Sequence, residues 1–134
     1  MVKVGRRITF NAAHRLNNPN WSEEKNTAVF GKCNSPNYHG HNYTLETWVE
    51  GVINPETGYV IDLSELKQIL KEEVEEPFDH RNFNLDVPEF ANLNPTAENI
   101  AKVIYEKLKP RLMQFKVVVR LYETENNFVE YTKD

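Results

Sequence analysis

The chain has 134 residues, of which 40% are hydrophobic and 27% charged, and its formal net charge is −4. These values predict a single domain over residues 1–134 and leave no room for a second one. The chain has no apolar run near the roughly 18 residues of a membrane span, no secretory signal pattern and no basic run suited to nucleic acid. We therefore expect a cytoplasmic protein that binds neither membrane nor nucleic acid.

The first predicted element is a strand that ends in a histidine. Between Arg6 and His14, apolar side chains alternate with polar ones, and His14 falls on the apolar face. A polar stretch from Asn17 to Asn37 then predicts a long loop with room for a short helix near residues 22–29. The same alternation over residues 39–49 predicts a second strand, which could pair with the first.

Two helices follow in the predicted order. Asp62-Leu63-Ser64-Glu65 has the form of a capping box, and the helix after it should end near Glu76, before Pro77. Thr96 is placed to cap a second helix that stops near Pro110.

The last predicted element is a hairpin of two strands, over residues 115–121 and 128–131. The complete order predicts an α+β fold with a four-stranded antiparallel sheet and two helices on one face. Because exposed sheet edges invite pairing with another chain, we expect such a sheet to close into a barrel by oligomerisation.

His39-Gly40-His41 is the sharpest local motif. Residues i and i+2 of a strand project to the same side, so both imidazoles can reach one point, and His14 could join them if the two strands pair. The intervening glycine would let a ligand or another backbone approach closely. Three histidines with an open fourth position are typical of catalytic zinc. Taken one at a time, each histidine could equally be an ordinary core or surface residue.

Four further residues could carry chemistry. Asp79 could fix the tautomer of the adjacent His80, although a solvated loop carboxylate explains Asp79 as well. A thiol near a metal, as Cys33 would be, becomes a thiolate base, whereas a buried loop thiol is inert. Glu123 has the inward parity of its strand and could grip a guanidine-like ligand edge, or it could already lie in the turn.

These pieces together resemble one known family. The matching segments are His14-Arg15, the run from Phe30 to Tyr43 (FGKCNSPNYHGHNY), Asp79-His80, Pro95-Thr96-Ala97-Glu98-Asn99 and Tyr122-Glu123-Thr124. They resemble the 6-pyruvoyl-tetrahydropterin synthase family, which also includes the bacterial 6-carboxy-tetrahydropterin synthases of queuosine biosynthesis. The resemblance covers nearly the whole chain, in order.

The resemblance implies a tunnelling fold, with a ββααββ unit, whose trimers close a barrel and stack in pairs into a homohexamer with active sites at subunit interfaces. The implied substrate is 7,8-dihydroneopterin triphosphate, from which triphosphate is eliminated.

Residue roles follow from the same resemblance. The implied cofactor is Zn²⁺, and its implied ligands are His14, His39 and His41. Cys33 is the implied general base, Asp79 with His80 the implied proton relay, and Glu123 the implied pterin anchor. Thr96 could also contact the ring, although helix capping explains it equally well. Four cations could meet the triphosphate, and the sequence does not rank them: Arg15, Lys25, Lys32 and Arg81.

The product and the role of the metal stay open at this point. Five residues separate Cys33 from His39, a spacing that favours the pyruvoyl product. The alternative is 6-carboxytetrahydropterin, formed with release of acetaldehyde. Ala97 stands where some relatives have a second threonine, which leaves one pterin contact in doubt. Two other interpretations are a non-catalytic zinc- or pterin-binding protein and a structural metal with Cys33 or His80 as the fourth ligand.

Overall fold

The structure is a computed structural model that describes residues 1–134. It contains a mixed sheet of five strands: β1 (Val2–His14), β2 (His39–Gly51), β3 (Arg81–Asn82), β4 (Lys116–Tyr122) and β5 (Phe128–Tyr131). Their order in the sheet is β3-β1-β2-β4-β5. The α+β class is therefore confirmed, and the hairpin lies at one edge of the sheet.

A long antiparallel ribbon of β1 and β2 forms the centre of the sheet. The two strands pair over their full length, from Val2 opposite Gly51 to His14 opposite His39. Ile8, Phe10 and Ala12 of β1 are buried on the same face as Tyr43 and Leu45 of β2. Since a shift of one residue would expose these apolar side chains, the hydrophobic pattern specifies the register that aligns the histidines.

The predicted four-stranded antiparallel sheet is wrong in two respects. A fifth strand, β3, pairs with Ala12 and Ala13 of β1, and this pairing is parallel. A strand of two residues has no periodicity that a sequence can reveal, so pattern reasoning passes over it. β3 continues directly from the loop that carries Asp79 and His80, and it holds that loop against the end of β1.

The helices are more numerous than predicted. They are α1 (Glu23–Phe30), α2 (Leu63–Leu70), α3 (Glu76–Phe78), α4 (Phe83–Asp86) and α5 (Ala97–Leu108). The short helix anticipated in the loop is α1. Ser22 caps its N-terminus, and the Ser22 hydroxyl accepts a hydrogen bond from Lys25 N at 3.1 Å. None of the helices has the length and apolar composition that crossing a membrane requires.

The first long helix does not end at Glu76 as predicted. A π-helical turn, Lys71–Glu75, joins α2 to α3, and the chain stays helical through Pro77 to Phe78. A proline ring normally collides with the carbonyl four residues back and cannot donate to it. The wider turn relieves this conflict, because Glu76 N donates to Lys71 O, five residues back. The helix therefore ends directly before Asp79.

The two predicted N-caps differ in detail. Thr96 accepts a hydrogen bond from Asn99 N at 3.2 Å and caps α5 as predicted. Asp62 accepts from Ser64 N at 2.8 Å, but the Glu65 side chain returns no bond, so the reciprocal half of the capping box is not formed. A single cap suffices here because α2 also buries Leu66, Ile69 and Leu70.

Aromatic side chains form the part of the core beneath the histidines. The rings of Phe10 and Tyr43 stack at 5.1 Å, and Phe83 contacts Tyr43 edge-on at 5.8 Å. Phe78 closes the group, 5.2 Å from Phe83. Close-packed rings restrict movement of the strand ends above them, so the fold gives the histidines a rigid base.

Candidate metal centre and active site

Three imidazoles meet at the end of the β1–β2 ribbon. The nitrogen atoms with which His14, His39 and His41 could bind a metal all lie within 4.8 Å of one another. His14 and His39 are cross-strand partners, and His41 follows two residues along on the same face. The geometry agrees with the expectation that strand pairing brings the three rings to one point.

His14 is held in a defined orientation. Its side chain is completely buried, and its Nδ1 lies 2.8 Å from the carbonyl oxygen of Pro95. A carbonyl can only accept, so Nδ1 carries the proton and Nε2 presents its lone pair toward His39 Nε2, 3.0 Å away. A backbone carbonyl that fixes the tautomer in this way is a common support for metal-binding histidines.

The donor set fits a zinc ion. Burial lowers the pKa of His14, and the hydrogen bond that His14 donates to Pro95 O partly offsets this effect. Burial also lowers the pKa of His41, and the negative charge of Glu123 opposes that shift. Both imidazoles are thus neutral near pH 7, the form that binds metals. His39 Nδ1 and His41 Nε2 are buried without a hydrogen-bond partner, which is costly in the absence of a ligand. Two imidazoles that are neutral near pH 7, a third histidine beside them and an open position suit catalytic zinc.

No fourth protein ligand joins this group. Neither Cys33 nor His80 belongs to the cluster of convergent metal-binding atoms. Cys33 lies half-buried in the 3₁₀ turn Gly31–Asn34, and its carbonyl oxygen accepts a bond from Leu16 N at 2.8 Å, which ties the turn to the end of β1. The arrangement disfavours a structural metal with either residue as its fourth ligand.

Glu123 lies beside the histidines, just past the end of β4. Its backbone N donates to Asn127 O at 3.0 Å, so the strand has already given way to the turn. Its side chain nevertheless keeps the inward direction, and Oε1 is 3.2 Å from His41 Nε2 at an angle that makes no hydrogen bond. The strand has therefore ended at Glu123, as one interpretation expected, and its side chain still lies beside the histidines.

Asp79 and His80 form a pair that is clamped to β1. His80 Nδ1 is 3.0 Å from Asp79 Oδ2, so these adjacent residues do touch. The backbone of Asn11 holds both, because Asn11 N donates to Asp79 Oδ1 at 2.9 Å and Asn11 O accepts from His80 N at 2.7 Å. The bond from Asn11 lowers the pKa of Asp79, with a smaller contribution from His80. His80 also has a φ of 61°, an unusual conformation for a residue other than glycine.

The same pair stands apart from the histidine centre within one chain. The side chain of His80 is 79% exposed, and no hydrogen bond links it to the three histidines or to Cys33. His80 and His41 do line one open cavity of about 460 Å³, together with Gly40. The two groups thus open onto a common space without contact between them.

Gly40 does not serve the close approach expected of it within one chain. A Cβ atom placed there would meet only Ala12 O, at an ordinary 3.7 Å. The glycine therefore leaves part of the cavity between His41 and His80 unfilled.

Arg15 is the most firmly placed of the four candidate cations. The Asn84 side chain bonds to both the N and the O of Arg15, and Arg15 Nε donates to Asn34 O at 3.0 Å. No carboxylate pairs with Arg15. Lys25 instead lies over the Trp21 ring at 4.2 Å, and Lys32 and Arg81 are exposed.

Three supporting groups escape sequence reasoning. Pro95 O and the Asn11 backbone act through main-chain atoms, which carry no residue-type signal. Tyr43 could have been found, because strand alternation places it on the same face as His41.

The fold and the site together define an α+β protein with a cluster of three histidines, able to hold a metal ion, at the end of a β-ribbon. Residues 3–134 match the family model described as 6-pyruvoyl tetrahydropterin synthase. The human 6-pyruvoyl tetrahydrobiopterin synthase is 45% identical over 132 residues, which cover 97% of this chain and 90% of that protein. The 6-carboxy-5,6,7,8-tetrahydropterin synthase of Rickettsia conorii is 32% identical over 149 aligned positions, covering 97% of this chain and 99% of that one.

A solved structure gives the same result. The Caenorhabditis elegans 6-pyruvoyl tetrahydropterin synthase superposes with a TM-score of 0.93 at 36% identity, covering 99% of this chain and 96% of that chain. The chain belongs to the 6-pyruvoyl tetrahydropterin synthase family, and the resemblance inferred from its sequence motifs is confirmed. The named relatives are lyases.

Proposed function

We propose that this protein is a zinc-dependent lyase that eliminates triphosphate from 7,8-dihydroneopterin triphosphate to give 6-pyruvoyl-tetrahydropterin. The observation that carries the proposal is the cluster of His14, His39 and His41 in a member of this family, with no fourth protein ligand. These three residues hold Zn²⁺ through neutral imidazole nitrogens. When bound, the ion supplies Lewis acidity to oxygen atoms of the substrate side chain.

Proton transfer falls to Cys33 and to the Asp79–His80 pair. Cys33 removes a proton from the substrate side chain, and its half-buried position in the turn next to β2 suits a base that must reach substrate. Asp79 orients His80 through Nδ1, which leaves Nε2 free to take or give the second proton. The lowered pKa of Asp79 supports this role, because an ionised carboxylate stabilises a protonated imidazole.

The exposure of His80 supports an assembled enzyme. An oriented but open imidazole suits a site that a neighbouring subunit completes. The unpaired outer edge of β1 beyond the two-residue contact with β3, and the edge strand β5, are surfaces where sheets of different chains can join. We therefore propose a homohexamer built as a dimer of trimers, with active sites at subunit interfaces.

Glu123 anchors the pterin. A carboxylate can accept two parallel bonds from the 2-amino group and N3 of the ring. With His41 committed as a metal ligand, Glu123 keeps both oxygens for the pterin and sets its distance from the metal centre. Thr96 already accepts from Asn99 N, so any contact between Thr96 and the ring is secondary to its capping role.

Arg15 is the best-supported partner for the triphosphate. Its guanidinium is held by Asn34 O and has no carboxylate to neutralise it. It directly follows His14 in the chain, so its backbone is next to one of the proposed metal ligands. Arginine is well suited to phosphate because its planar fork can donate two parallel bonds.

The pyruvoyl product is preferred over the 6-carboxy product. The human relative, named for the pyruvoyl activity, is 45% identical, against 32% for the Rickettsia conorii relative named for the 6-carboxy activity. The spacing from Cys33 to His39 points the same way. The 6-carboxytetrahydropterin synthase of queuosine biosynthesis remains the second candidate, since both kinds of relative match nearly the whole chain.

The deciding experiment incubates the zinc-loaded protein with 7,8-dihydroneopterin triphosphate and identifies the pterin by mass spectrometry. Triphosphate release with 6-pyruvoyl-tetrahydropterin is the expected result, and acetaldehyde with a 6-carboxy product would select the second candidate. Binding of the pterin without release of triphosphate would mean a non-catalytic protein. Removal of zinc should stop turnover while leaving the oligomer intact, whereas dissociation of the oligomer would favour a structural metal.

Cys33→Ala tests the proposed base in the same assay. We expect turnover to fall by about 10²–10⁴, the usual contribution of a general base, with zinc content unchanged. Ser35→Ala is the matched control, because Ser35 belongs to the same loop and its hydroxyl makes no hydrogen bond. Equal turnover in the two variants would remove Cys33 from the mechanism.

A further inference from the structure

A buried tyrosine whose hydroxyl has no partner lies against two of the three clustered histidines. Tyr43 follows His41 by two residues on the same face of β2, and its side chain is completely buried. Its hydroxyl group has no hydrogen-bond partner in the chain. Leaving a buried donor unsatisfied is destabilising, so such a group calls for an explanation, and one explanation is a partner that the chain alone does not supply.

The ring of Tyr43 belongs to both the core and the centre. One side stacks on Phe10 at 5.1 Å. Edge contacts join the same ring to His41 at 5.7 Å and to His14 at 6.4 Å. The ring is therefore rigidly placed between the aromatic base and two of the proposed metal ligands.

Two residues of the proposed active site, Glu123 and Cys33, influence the Tyr43 hydroxyl electrostatically. Burial raises the pKa of Tyr43, and the charges of Glu123 and Cys33 raise it further. These two residues are the proposed pterin anchor and base. The phenol keeps its proton at physiological pH and is available as a donor.

We propose that the Tyr43 hydroxyl is a catalytic residue that donates a hydrogen bond to an oxygen of the substrate side chain. This inference rests on the proposed lyase function. A donor that is unsatisfied in the free protein gains its partner only when substrate binds, and it can stabilise negative charge that develops on that oxygen. The unsatisfied hydroxyl then destabilises the free protein, and its hydrogen bond to the substrate stabilises the bound state.

Thr47 provides a matched control in the same strand. Its hydroxyl is also fully buried and without a partner, on the same face of β2 as Tyr43. It lies four residues further from the histidines, about 13 Å along the strand. A substitution of Thr47 therefore shows how the loss of a buried hydroxyl far from the histidines changes the stability of this sheet.

The test compares Tyr43→Phe and Thr47→Val in the zinc-loaded protein. Each variant removes only a hydroxyl or replaces it with a methyl group, so both should raise the Tm of the substrate-free protein by a few degrees, about 2–6 °C. Only Tyr43→Phe should lose activity, with kcat lower by about 10²-fold and zinc content unchanged. Thr47→Val should retain the kcat of the wild type.

The outcomes separate this inference from the proposed function. If Tyr43→Phe turns over as fast as the wild type, the proposed role of the hydroxyl is overturned and the lyase assignment stays intact. A fall in both Tm and kcat in Tyr43→Phe would make the hydroxyl structural and would also overturn the inference. A wild-type protein that forms no product overturns both proposals together.

Discussion

His14 is completely buried, with one nitrogen held by Pro95 O and the other facing His39, whereas the side chain of His80 is 79% exposed. Both imidazoles are oriented by groups of the same chain. The metal centre also receives its remaining donors from that chain, while the Asp79–His80 pair presents its free nitrogen to open space. We therefore expect a single chain to supply the whole of the proposed metal site but only one part of the proposed proton-transfer site.

This difference predicts two kinds of damage. Changes in the histidine centre should remove the ion together with all activity, because the ligands act as one set. Changes in the exposed pair should reduce turnover and leave the ion in place. Metal content and turnover, measured side by side, therefore distinguish the two regions.

The largest effect is expected from His39→Ala. Loss of one of three ligands should leave the protein without stoichiometric zinc and reduce turnover by more than about 10³-fold. Metal analysis of the purified protein and the triphosphate-release assay check both parts. A variant that keeps zinc and activity would show that His39 is not a ligand.

His80→Ala should have a smaller effect that is confined to turnover. We expect a loss of about 10²–10³ with zinc content unchanged, since only a proton carrier is removed. Co-expression of Cys33→Ala and His80→Ala chains should raise turnover well above that of either variant alone if a site combines the two residues from neighbouring chains. Mixed oligomers no more active than the single variants would mean that one chain supplies both.

The pH dependence of the metal-free protein sharpens the comparison. Burial lowers the pKa of His14 and His41 in the folded state below the 6.5 of an unperturbed histidine. The unfolded state then binds more protons than the folded state below about pH 6.5. The free energy of unfolding is therefore highest above that pH and decreases as the pH falls. Urea unfolding should give a lower free energy of unfolding at pH 5.5 than at pH 7.5.

A control for this pH effect comes from a buried residue that does not titrate. Thr47→Val changes no titratable group, so it should show the same difference between pH 5.5 and pH 7.5 as the wild type. A His14→Gln variant should show a reduced difference. Identical pH dependence in all three proteins would contradict the assignment to the buried centre.

The smallest effect is expected from Gly40→Ala, between the two regions. A Cβ at this position meets nothing closer than 3.7 Å, and alanine loses less backbone freedom on folding than glycine. The free energy of unfolding of the isolated chain should rise by about 0.5–1 kcal/mol. Denaturant unfolding checks this value, and a marked loss of stability only in the oligomer would reveal a neighbouring chain packed on Gly40.

Local patterns determined the centre of this protein. Alternation along β1 and β2 places His14, His39 and His41 on the buried face, and pairing of the two strands then brings them together. The Thr96 cap follows from local preference in the same way. Such features can be deduced because strand and helix periodicities depend on near neighbours in the chain.

Tertiary packing decided everything that supports the centre. The Pro95 carbonyl lies 81 positions from His14, and Asn11 lies 68 positions from Asp79, yet each contact orients a functional side chain. The two-residue strand β3 is likewise set by the pairing of its loop with β1. Main-chain contacts between distant residues carry no signature in residue type, so only the folded structure shows which groups are held and which are left open.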